Sequence, residues 1–306
     1  MFDFVDIETT SYCNAKCPFC NRTNMKFEKK HLDLEVIKKL PFNEIKNVLL
    51  IGNKGDAIFY NKFFELIEYI INNFDCHISL HTNASAHNTD WWIKLHKITQ
   101  ERCRVVYALD GLEDTHSLYR IGTNFHKVVE NIEAYNKAGG YSICQFIRFQ
   151  HNDHQIDGVR KLVSEIGSKK IWVRKSRGYN RNLKRPSNTK TRHEINRMKG
   201  GKICCVFLER PSFVLTVDGE IRPCCFMADD NYFKDFLLHL KLDIRNCGHI
   251  IKYRENPNSI NLYKNSFEDI MLSEYFELIR KNYRRLHKCN QKCIANFSDI
   301  VDEEEL

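Results

Sequence analysis

Residues 13–20 read CNAKCPFC and place Cys13, Cys17 and Cys20 at the spacing CxxxCxxC. Three thiolates at this spacing can bind three irons of a [4Fe–4S] cluster and leave the fourth iron without a protein ligand. A metal centre keeps an open position when a substrate or cofactor has to bind to the metal. The stretch therefore predicts catalytic chemistry at a cluster. A zinc knuckle with a distant fourth ligand is the alternative.

The chain before and after this stretch alternates short β-type runs with amphipathic helical patterns. The runs are rich in Val, Ile and Leu, as strands buried on both faces are. The predicted strands are Phe4–Glu8, Asn47–Ile51, His77–Thr82, Arg104–Leu109, Tyr141–Phe149 and Lys170–Arg174. Helical patterns lie between them, for example over Lys62–Phe74 and over Asn124–Ala138, which ends at Gly139-Gly140.

Repeated β-α units predict parallel strands with right-handed crossovers. We therefore predict an α/β fold, a partial (β/α)6 TIM-like barrel over residues 1–175, with a flat doubly wound sheet as the alternative. In both architectures ligands bind at the carboxyl ends of the strands. The stretch at residues 13–20 follows the first strand directly, so it lies at that end.

The remainder of the chain predicts a linker and a second, smaller domain. Residues 176–202 are polar and basic, as in a linker. Within residues 203–306, the runs Phe213–Val217 and Glu220–Pro223 flank Asp218-Gly219 and predict a β-hairpin with a tight turn. Ser266–Arg285 has the pattern of one amphipathic helix, so this α+β domain consists of a hairpin and a helix.

Charge is distributed unevenly along the chain. The net charge is +8, but the run from Lys169 to Lys202 carries 13 Lys and Arg residues and one acid, Glu194. The residues from Asp299 to Glu305 are acidic. The basic run is either a solvated linker or a surface that attracts an anionic substrate, such as a phosphorylated compound, an acidic peptide or a nucleic acid.

The composition of the chain and the absence of targeting patterns favour a cytosolic protein without a membrane partner. The N-terminus lacks the pattern of a secretory signal, and no apolar run approaches the length of a membrane span. The chain has 13 cysteines among 306 residues, and in a reducing compartment they indicate metal or redox chemistry. Cys76, Cys103 and Cys144 lie singly in apolar stretches, which predicts buried thiols.

By its cysteine spacing, and by Phe19 at the position of a usual aromatic, the chain resembles the radical S-adenosylmethionine (SAM) superfamily. The resemblance implies that Cys13, Cys17 and Cys20 hold a catalytic [4Fe–4S] cluster whose open iron binds the amino and carboxylate groups of SAM. It implies that an electron from this cluster cleaves SAM to methionine and a 5′-deoxyadenosyl radical, which abstracts a hydrogen from the substrate. It also implies an electron donor such as flavodoxin or ferredoxin.

Two further segments resemble family stretches that bind SAM. Residues 52–57, GNKGDA, resemble the GGEP-type motif and place Gly55 and Asp56 at the SAM amino group. Here Asp56 replaces the usual Glu and Ala57 the usual Pro. Arg120 matches an arginine that often pairs with the SAM carboxylate, a planar partner that suits a guanidinium.

Three polar residues after strand ends are further SAM contacts that the resemblance implies. They are Asn83, Asp110 and Asn152, the last as a contact to the ribose. A serine common in the family two residues before the aspartate is Ala108 here, which removes one expected polar contact. Capping of the strand ends is the alternative role for all three residues.

The cysteines near the C-terminus resemble the auxiliary-cluster domain of many radical SAM enzymes, in its shortened "twitch" form and not the full SPASM form. Cys205, Gly219 and Cys224 follow the pattern C-x13-G-x4-C, and Cys289 and Cys293 come later. The resemblance implies that the four thiolates ligate one auxiliary [4Fe–4S] cluster.

Part of this ligand assignment stays open. Cys204 is an alternative to Cys205, and Cys225 is an alternative to Cys224. Cys247 has no assigned role. The spacing also permits a four-cysteine zinc site that staples a small domain.

The leading interpretation is a radical SAM oxidoreductase in which the auxiliary cluster takes an electron from a substrate radical. We expect dehydrogenation of a small substrate, and the basic run favours an anionic one. His81, His151 and His154 fall near strand ends and are candidate acids or bases, although the sequence selects none of them.

Two alternatives remain. Modification of a ribosomal peptide predicts a leader-binding module, for which we expect no room before Cys13. A zinc-stapled nucleic-acid-binding protein would explain the basic run but not the repeated β-α units, and salt-dependent affinity for RNA or DNA would support it.

Overall fold

The computed structural model describes residues 1–24, 26–176, 178–187, 205, 207, 210–228, 248–282 and 300–305. The strands in these ranges are β1 Phe4–Ile7, β2 Asn47–Leu50, β3 His77–Thr82, β4 Cys103–Ala108, β5 Tyr141–Arg148, β6 Lys170–Lys175, β7 Ser212–Leu215, β8 Ile221–Arg222 and β9 Ile300–Glu305. Across the described ranges they form one sheet in the order β8-β7-β1-β2-β3-β4-β5-β6-β9.

Helices connect these strands, and short 3-10 turns extend several of the connections. The helices of the described ranges are α1 Leu34–Ile37, α2 Phe63–Asn73, α3 Thr89–Thr99, α4 His116–Tyr119, α5 Phe125–Lys137, α6 Ile156–Glu165, α7 Gly248–Glu255, α8 Phe267–Leu272 and α9 Glu274–Asn282. Side chains cap several of them. Asn88 begins α3 by accepting a hydrogen bond from Trp91 N, and Asn124 does the same for α5 from Lys127 N.

The strands β1 to β6 are parallel neighbours in chain order, as repeated β-α units predict. The barrel does not close between β1 and β6. Instead β1 pairs with β7, and β6 pairs with β9. The predicted α/β fold with a partial barrel is therefore confirmed, and its strands agree with the predicted ones to within one or two residues.

Alternate residues of each strand face the helices and form the main core. Leu80, Val105 and Phe146 are among these fully buried residues. Cys76, Cys103 and Cys144 belong to the same core and are at most 1% exposed, which confirms the prediction that they are buried thiols. The intervening residues face the interior of the partial barrel, where the sheet leaves space for a ligand.

The hairpin predicted around Asp218-Gly219 is present and consists of β7 and β8. The two strands are antiparallel, with Leu215 opposite Ile221. Gly219 has a φ of +82°, a conformation that glycine adopts at little cost. Because β7 also pairs in parallel with β1 along Phe4–Ile7, the hairpin extends the barrel sheet. The proposed boundaries of the linker and the second domain stay a prediction.

The prediction of one helix over Ser266–Arg285 is wrong for its described part. The chain forms α8 and α9 instead, and Ser273 between them is extended, with φ −60° and ψ 152°. The Ser273 hydroxyl donates to Ile270 O (2.6 Å), and Glu277 N donates to Ser273 O (3.1 Å). Serine competes for backbone groups in this way and favours helix ends, which amphipathic periodicity does not reveal.

The basic run begins within the sheet. β6 contributes its first residues, and β9 pairs with β6 in antiparallel register, so that Lys170 stands opposite Glu305. The acidic residues near the C-terminus therefore form the edge strand beside the first basic residues. In the ranges described here, no helix combines the length and the apolar character needed to cross a membrane. The cytosolic location stays a prediction.

Candidate functional site

The three cysteines of residues 13–20 lie in the loop that follows β1. Cys17 is buried, and Cys13 and Cys20 are partly exposed. Main-chain hydrogen bonds hold the loop: Lys16 N donates to Ile121 O (2.7 Å) and Cys20 N donates to Cys17 O (3.0 Å). The loop is therefore held against the segment after α4.

Several aromatic side chains pack against this loop. The ring centroids of Phe19 and Phe149 are 6.3 Å apart, and those of Tyr119 and Phe149 are 4.7 Å apart. Residues 178–187 also contact this group. A Cβ at Gly178 would lie 2.8 Å from Phe19 Cδ1, so this backbone passes directly over the ring. Part of the predicted linker thus packs against the aromatic residues beside the cysteine loop.

The loop after β2 lies against the cysteine loop and carries Gly55 and Asp56. A Cβ at Gly55 would lie 2.0 Å from Thr10 O, so only glycine allows this approach. Asp56 is buried, and its carboxylate accepts hydrogen bonds from Thr82 Oγ1 (3.0 Å) and Asn83 N (2.9 Å). Burial raises the pKa of Asp56 to about 6, and these two hydrogen bonds limit the rise.

Arg120 forms a buried ion pair beside the cysteine loop. Its Nε donates to Asp110, and its Nη1 lies 3.7 Å from Cys17 Sγ. Burial alone would lower the pKa of Arg120, but the Asp110 carboxylate raises it, so the guanidinium stays charged. The positive charge of Arg120 is therefore held next to a predicted cluster ligand.

Asp110 and Asn152 are fully buried, and their polar groups are used within the protein. Besides pairing with Arg120, Asp110 accepts a hydrogen bond from Ile147 N (2.5 Å). Asn152 Nδ2 donates to Asp110 O (2.9 Å), and its Oδ1 accepts from Phe149 N (2.7 Å). Both residues therefore hold the ends of β4 and β5 together.

These elements surround one cavity of about 310 Å³ at the carboxyl ends of the barrel strands, a size typical of small-molecule sites. It is lined by the three cysteines and by Ala15, Phe19, Arg22, Ile51, Gly52, Gly55, Asp56, His81, Thr82, Asn83, Val106, Ala108, Tyr119, Arg120, Gln145, Ile147, Arg174 and Lys175.

Most of the predicted site residues meet in this cavity. Besides the cysteines, those that line it are Phe19, Gly55, Asp56, Asn83 and Arg120. Asp110 and Asn152 do not line it, although both hold its rim in place through Arg120 and β5. The SAM contacts predicted for all of these residues, both those that line the cavity and Asp110 and Asn152, stay predictions.

Several lining residues were not found from the sequence. Arg22 and Gln145 belong to no motif, and Arg174 and Lys175 were marked only as part of the basic run. Strand alternation is the signal that could have placed Gln145 and Arg174 on the inner face. Of the three candidate histidines, His81 lines the cavity. His151 stacks on Phe149 instead, with ring centroids 5.5 Å apart.

A second cavity, of about 230 Å³, brings together two of the predicted auxiliary ligands. Cys205 and Cys224 both line it, and each is 8% exposed. Cys225 does not line this cavity and is more exposed, so the geometry favours Cys224. The other four cysteines of this region lie outside the described residues: Cys204, Cys247, Cys289 and Cys293.

The hairpin of β7 and β8 contacts residues 52–57, the SAM-motif loop, directly. Lys54 Nζ donates to Asp218 Oδ2 (2.6 Å), and Lys30 pairs with the other oxygen of Asp218. Glu8 accepts hydrogen bonds from Asn53 N (2.7 Å) and from Val217 N (3.4 Å). Residues 52–57 are therefore tied to the turn between β7 and β8.

The donor set of the first cavity fits a [4Fe–4S] cluster with an open iron. Three thiols line the cavity, and no fourth cysteine does so within the described residues. Both oxygens of Asp56 accept hydrogen bonds within the protein. Burial raises the pKa of the Cys13 thiol to about 12, and bound iron would deprotonate it.

Comparison with solved structures finds the same fold at low sequence identity. The chain is 15% identical to anSMEcpe with bound AdoMet. The alignment covers 97% of this chain and 92% of anSMEcpe, and the TM-score is 0.58. The alignment with BtrN in complex with AdoMet and 2-DOIA has 13% identity, covers 100% of this chain and 97% of BtrN, and gives a TM-score of 0.53.

Streptococcus suis SuiB bound to S-adenosylmethionine is 14% identical, with a TM-score of 0.57. The alignment includes 75% of this chain but only 62% of SuiB, so the chain spans less than two thirds of that protein. No curated protein matches the sequence.

Comparison with family models identifies both parts of the chain. Residues 7–163 match the radical SAM superfamily, and residues 204–294 match the SPASM iron–sulfur cluster-binding domain. The first match spans the β-α units and the cysteine loop, and the second spans Cys205 and Cys224. The chain therefore belongs to the radical SAM superfamily, and its cofactors are SAM, a catalytic [4Fe–4S] cluster and an auxiliary iron–sulfur cluster.

Proposed function

We propose that this radical SAM enzyme is an oxidoreductase that dehydrogenates a small, anionic substrate with the help of one auxiliary [4Fe–4S] cluster. The observation that carries the proposal is the single cavity that joins the three cysteines, Asp56 and Arg120 to the inner face of the barrel. A substrate in this cavity would lie beside SAM and within the same enclosure.

When bound, the catalytic cluster and SAM would supply a 5′-deoxyadenosyl radical for hydrogen abstraction, and the auxiliary cluster would supply an electron acceptor. Cys13, Cys17 and Cys20 would hold three irons. Arg120 would bind the SAM carboxylate, because its guanidinium lines the cavity beside Cys17.

The protein positions these groups and keeps water away from them. Asp56 holds the ends of β2 and β3 together through Thr82 and Asn83, and so fixes the loop proposed to bind the SAM amino group. Phe19, Tyr119 and Phe149 cover the cysteine loop with aromatic rings. Exclusion of water protects a reactive intermediate from side reactions.

The second cavity supports the auxiliary part of the proposal. Cys205 and Cys224 would be two ligands of the auxiliary cluster, and we assign the other two to Cys289 and Cys293. The ion pair between Lys54 and Asp218 ties the hairpin to the SAM-motif loop, which supports a fixed separation between the two clusters. We assign residues 1–175, 176–202 and 203–306 to the barrel, a basic linker and the auxiliary domain.

The comparisons support two classes of substrate. BtrN, crystallised with AdoMet and 2-DOIA, supports a small molecule. Peptide modification is the second candidate, because SuiB was crystallised with its precursor peptide SuiA and anSMEcpe with the peptide Cp18Cys. Increased 5′-deoxyadenosine production with small anions or with peptides would distinguish the two classes.

Reconstitution of the clusters tests the central claim. We expect about eight irons per chain after anaerobic treatment with iron and sulfide, and one EPR signal of the reduced protein that changes with SAM. Cys17→Ala should abolish 5′-deoxyadenosine production and lose about four irons. Cys76→Ala is the matched control, because Cys76 is buried in the core and donates to Ile45 O. Production at the wild-type rate in Cys17→Ala would contradict the proposal.

A further inference from the structure

A buried histidine lies in the segment that joins Asp110 to Arg120. His116 is the first residue of α4, six residues after Asp110 and four before Arg120. It is fully buried and does not line the catalytic cavity. His116 can therefore affect a ligand in that cavity only through other residues.

The hydrogen bonds of His116 determine which ring nitrogen carries a proton. The backbone N–H of Asp110 donates to Nδ1 (3.2 Å), so Nδ1 has no proton. The hydroxyl of Thr123 donates its one hydrogen to Arg120 O (2.7 Å), so Nε2 is the donor in its hydrogen bond with Thr123 Oγ1 (3.0 Å). His116 is therefore a neutral imidazole with its proton on Nε2.

The surroundings of His116 keep the imidazole neutral. Burial lowers its pKa to about 3, and the nearby charge of Arg120 acts in the same direction. A second ring proton, on Nδ1, would also face the N–H group of Asp110. His116 therefore keeps the same hydrogen bonds near pH 7 and is not suited to exchange protons there.

These hydrogen bonds support the backbone of Arg120 on both sides. Helix α4 ends at Arg120, whose backbone has a non-helical φ of −86° and ψ of 55°. Its N–H donates to His116 O (3.0 Å), and its C=O accepts from Thr123, which is held in turn by His116 Nε2. Because Asp110 N bonds to the same ring, one side chain links the backbones of both members of the ion pair.

We propose that His116 is the positioning residue of Arg120, which it holds at the place where the guanidinium binds the carboxylate of SAM. This inference rests on the proposed function, because it takes Arg120 as the partner of that carboxylate. A guanidinium binds a carboxylate through two parallel hydrogen bonds, so a small displacement of its backbone weakens both. Arg120 Nη1 lies 3.7 Å from Cys17 Sγ, and the same displacement would move this charge away from the cysteine loop.

Titration of the reconstituted enzyme with SAM tests this proposal. His116→Leu keeps a side chain of similar size but removes both ring nitrogens, and it should weaken SAM binding at least tenfold, about 1.4 kcal/mol. Thr123→Val removes only the hydroxyl and should give a smaller loss in the same direction. His116→Asn can place an amide oxygen near the position of Nδ1 and should recover part of the loss.

Two readouts separate positioning of Arg120 from general damage to the fold. Decarboxylated SAM lacks only the carboxylate, so His116→Leu should bind it as the wild type does. In a double-mutant cycle, His116→Leu should cause little further loss of SAM affinity once Arg120→Gln is present, because the two changes remove the same contact.

Tyr135→Phe is the matched control for the loss of a buried hydrogen bond. Tyr135 is fully buried, and its hydroxyl donates to Cys103 O (2.9 Å) at the first residue of β4, the end of the strand away from the cavity. This variant should bind SAM as the wild type does. Iron content verifies that each variant folds, and Thr123→Val decides the outcome if His116→Leu does not.

The proposal is overturned if His116→Leu and Thr123→Val both bind SAM as tightly as the wild type. It is also overturned if the loss in His116→Leu is as large for decarboxylated SAM, or persists in full beside Arg120→Gln. Failure of the proposed contact is a different result, in which Arg120→Gln by itself binds SAM as the wild type does.

Discussion

Gly55 is the residue on which the contact between the cysteine loop and the SAM-motif loop depends most directly. A Cβ here would lie 2.0 Å from the backbone oxygen of Thr10, and a backbone atom cannot move away by changing rotamer. Gly55→Ala should therefore push the two loops apart and weaken SAM binding at least tenfold, about 1.4 kcal/mol. Titration of the reconstituted enzyme with SAM measures this loss.

Gly158→Ala is the matched control for that variant. Gly158 lies in α6, and a Cβ there would meet only Leu112 Cδ1, at 3.2 Å. Alanine favours a helix over glycine by about 1 kcal/mol, so this variant should bind SAM normally and unfold at the same or a higher temperature. Unchanged SAM affinity in Gly55→Ala would show that the close approach of the loops is not needed for binding.

Asp6 makes the stability of the fold depend on pH. Its carboxyl is buried in β1, and within the described residues Oδ1 has no hydrogen-bond partner. Burial, with a contribution from Glu8, raises the pKa of Asp6 from 3.8 to about 7. Between these pH values the unfolded chain releases the proton and the folded chain keeps it, so the free energy of unfolding decreases as pH rises toward 7.

Asp6→Asn should remove this dependence. We expect the variant to gain stability relative to the wild type, on the order of 1–3 kcal/mol, as the pH rises from 5 to 8. Urea denaturation across this range gives the difference. The lowered pKa of His81 acts in the opposite direction, but it is common to both proteins and cancels. Asp157→Asn, at an exposed position, should show no such trend, and parallel curves for Asp6→Asn would refute the explanation.

Motif residues could be predicted from the sequence, whereas residues placed by the fold could not. The spacing of Cys13, Cys17 and Cys20 is visible in the chain, because a short loop must supply all three thiols. Arg174 and Gln145 lie on different strands, and only the register between β5 and β6 brings them into one cavity. The resemblance implies a SAM contact for Asp110, which stays a prediction, and no sequence pattern indicated that its carboxylate accepts hydrogen bonds from Arg120 and Ile147 N.

Among the elements, the hairpin of β7 and β8 is tied to the SAM-motif loop by the ion pair between Asp218 and Lys54. The Asp218 side chain is 34% exposed, whereas that of Lys54 is 7% exposed. Asp218→Asn should leave the Lys54 charge buried without its full partner, at a cost of about 1–3 kcal/mol, between the values for surface and buried pairs. Hydrogen exchange should become faster in residues 212–222 and stay unchanged in β3–β5.

The surface pair of Glu35 and Lys38 provides the control for the hairpin. Glu35 is 71% exposed, so Glu35→Gln should leave exchange in the hairpin unchanged. The wild-type hairpin should also loosen in acid. Burial alone would raise the pKa of Asp218, but Lys30 and Lys54 lower it below 3.8, so the stabilisation is present above pH 4 and is lost as pH falls through the lowered value. Equal exchange in Asp218→Asn and the wild type would show that other contacts hold the hairpin.

The sequence predicted elements well where a local pattern determines them, and less well where a distant segment does. The parallel strands β1 to β6 follow from short apolar runs alternating with amphipathic helices. The pairing of β7 with β1 joins segments about 200 residues apart, and no local pattern encodes it. The break at Ser273 also escaped prediction, because the apolar stripe continues through it while the serine hydroxyl ends α8 by donating to Ile270 O.

In the whole molecule, one sheet connects the two cysteine groups. β1 leads into the loop of Cys13, Cys17 and Cys20, and the adjacent hairpin lies between Cys205 and Cys224 in the sequence. Because β1 and β7 are paired over Phe4–Ile7, relative movement of the two groups would require breaking sheet hydrogen bonds. This arrangement suits electron transfer between two clusters at a fixed separation.

The adjacent pair Cys224 and Cys225 allows the auxiliary site to be tested without disturbing the catalytic one. Cys224 lines the second cavity and Cys225 does not, so Cys224→Ala should lose about four irons per chain and Cys225→Ala should lose none. The Cys225 contact with Asn53 Nδ2 uses the backbone oxygen, which alanine keeps. Because the catalytic cluster has its own three thiolates, the EPR signal that SAM changes should persist in Cys224→Ala. Loss of iron from Cys225→Ala alone would transfer the ligand to the neighbouring position, and full iron in both variants would remove this hairpin from the auxiliary site.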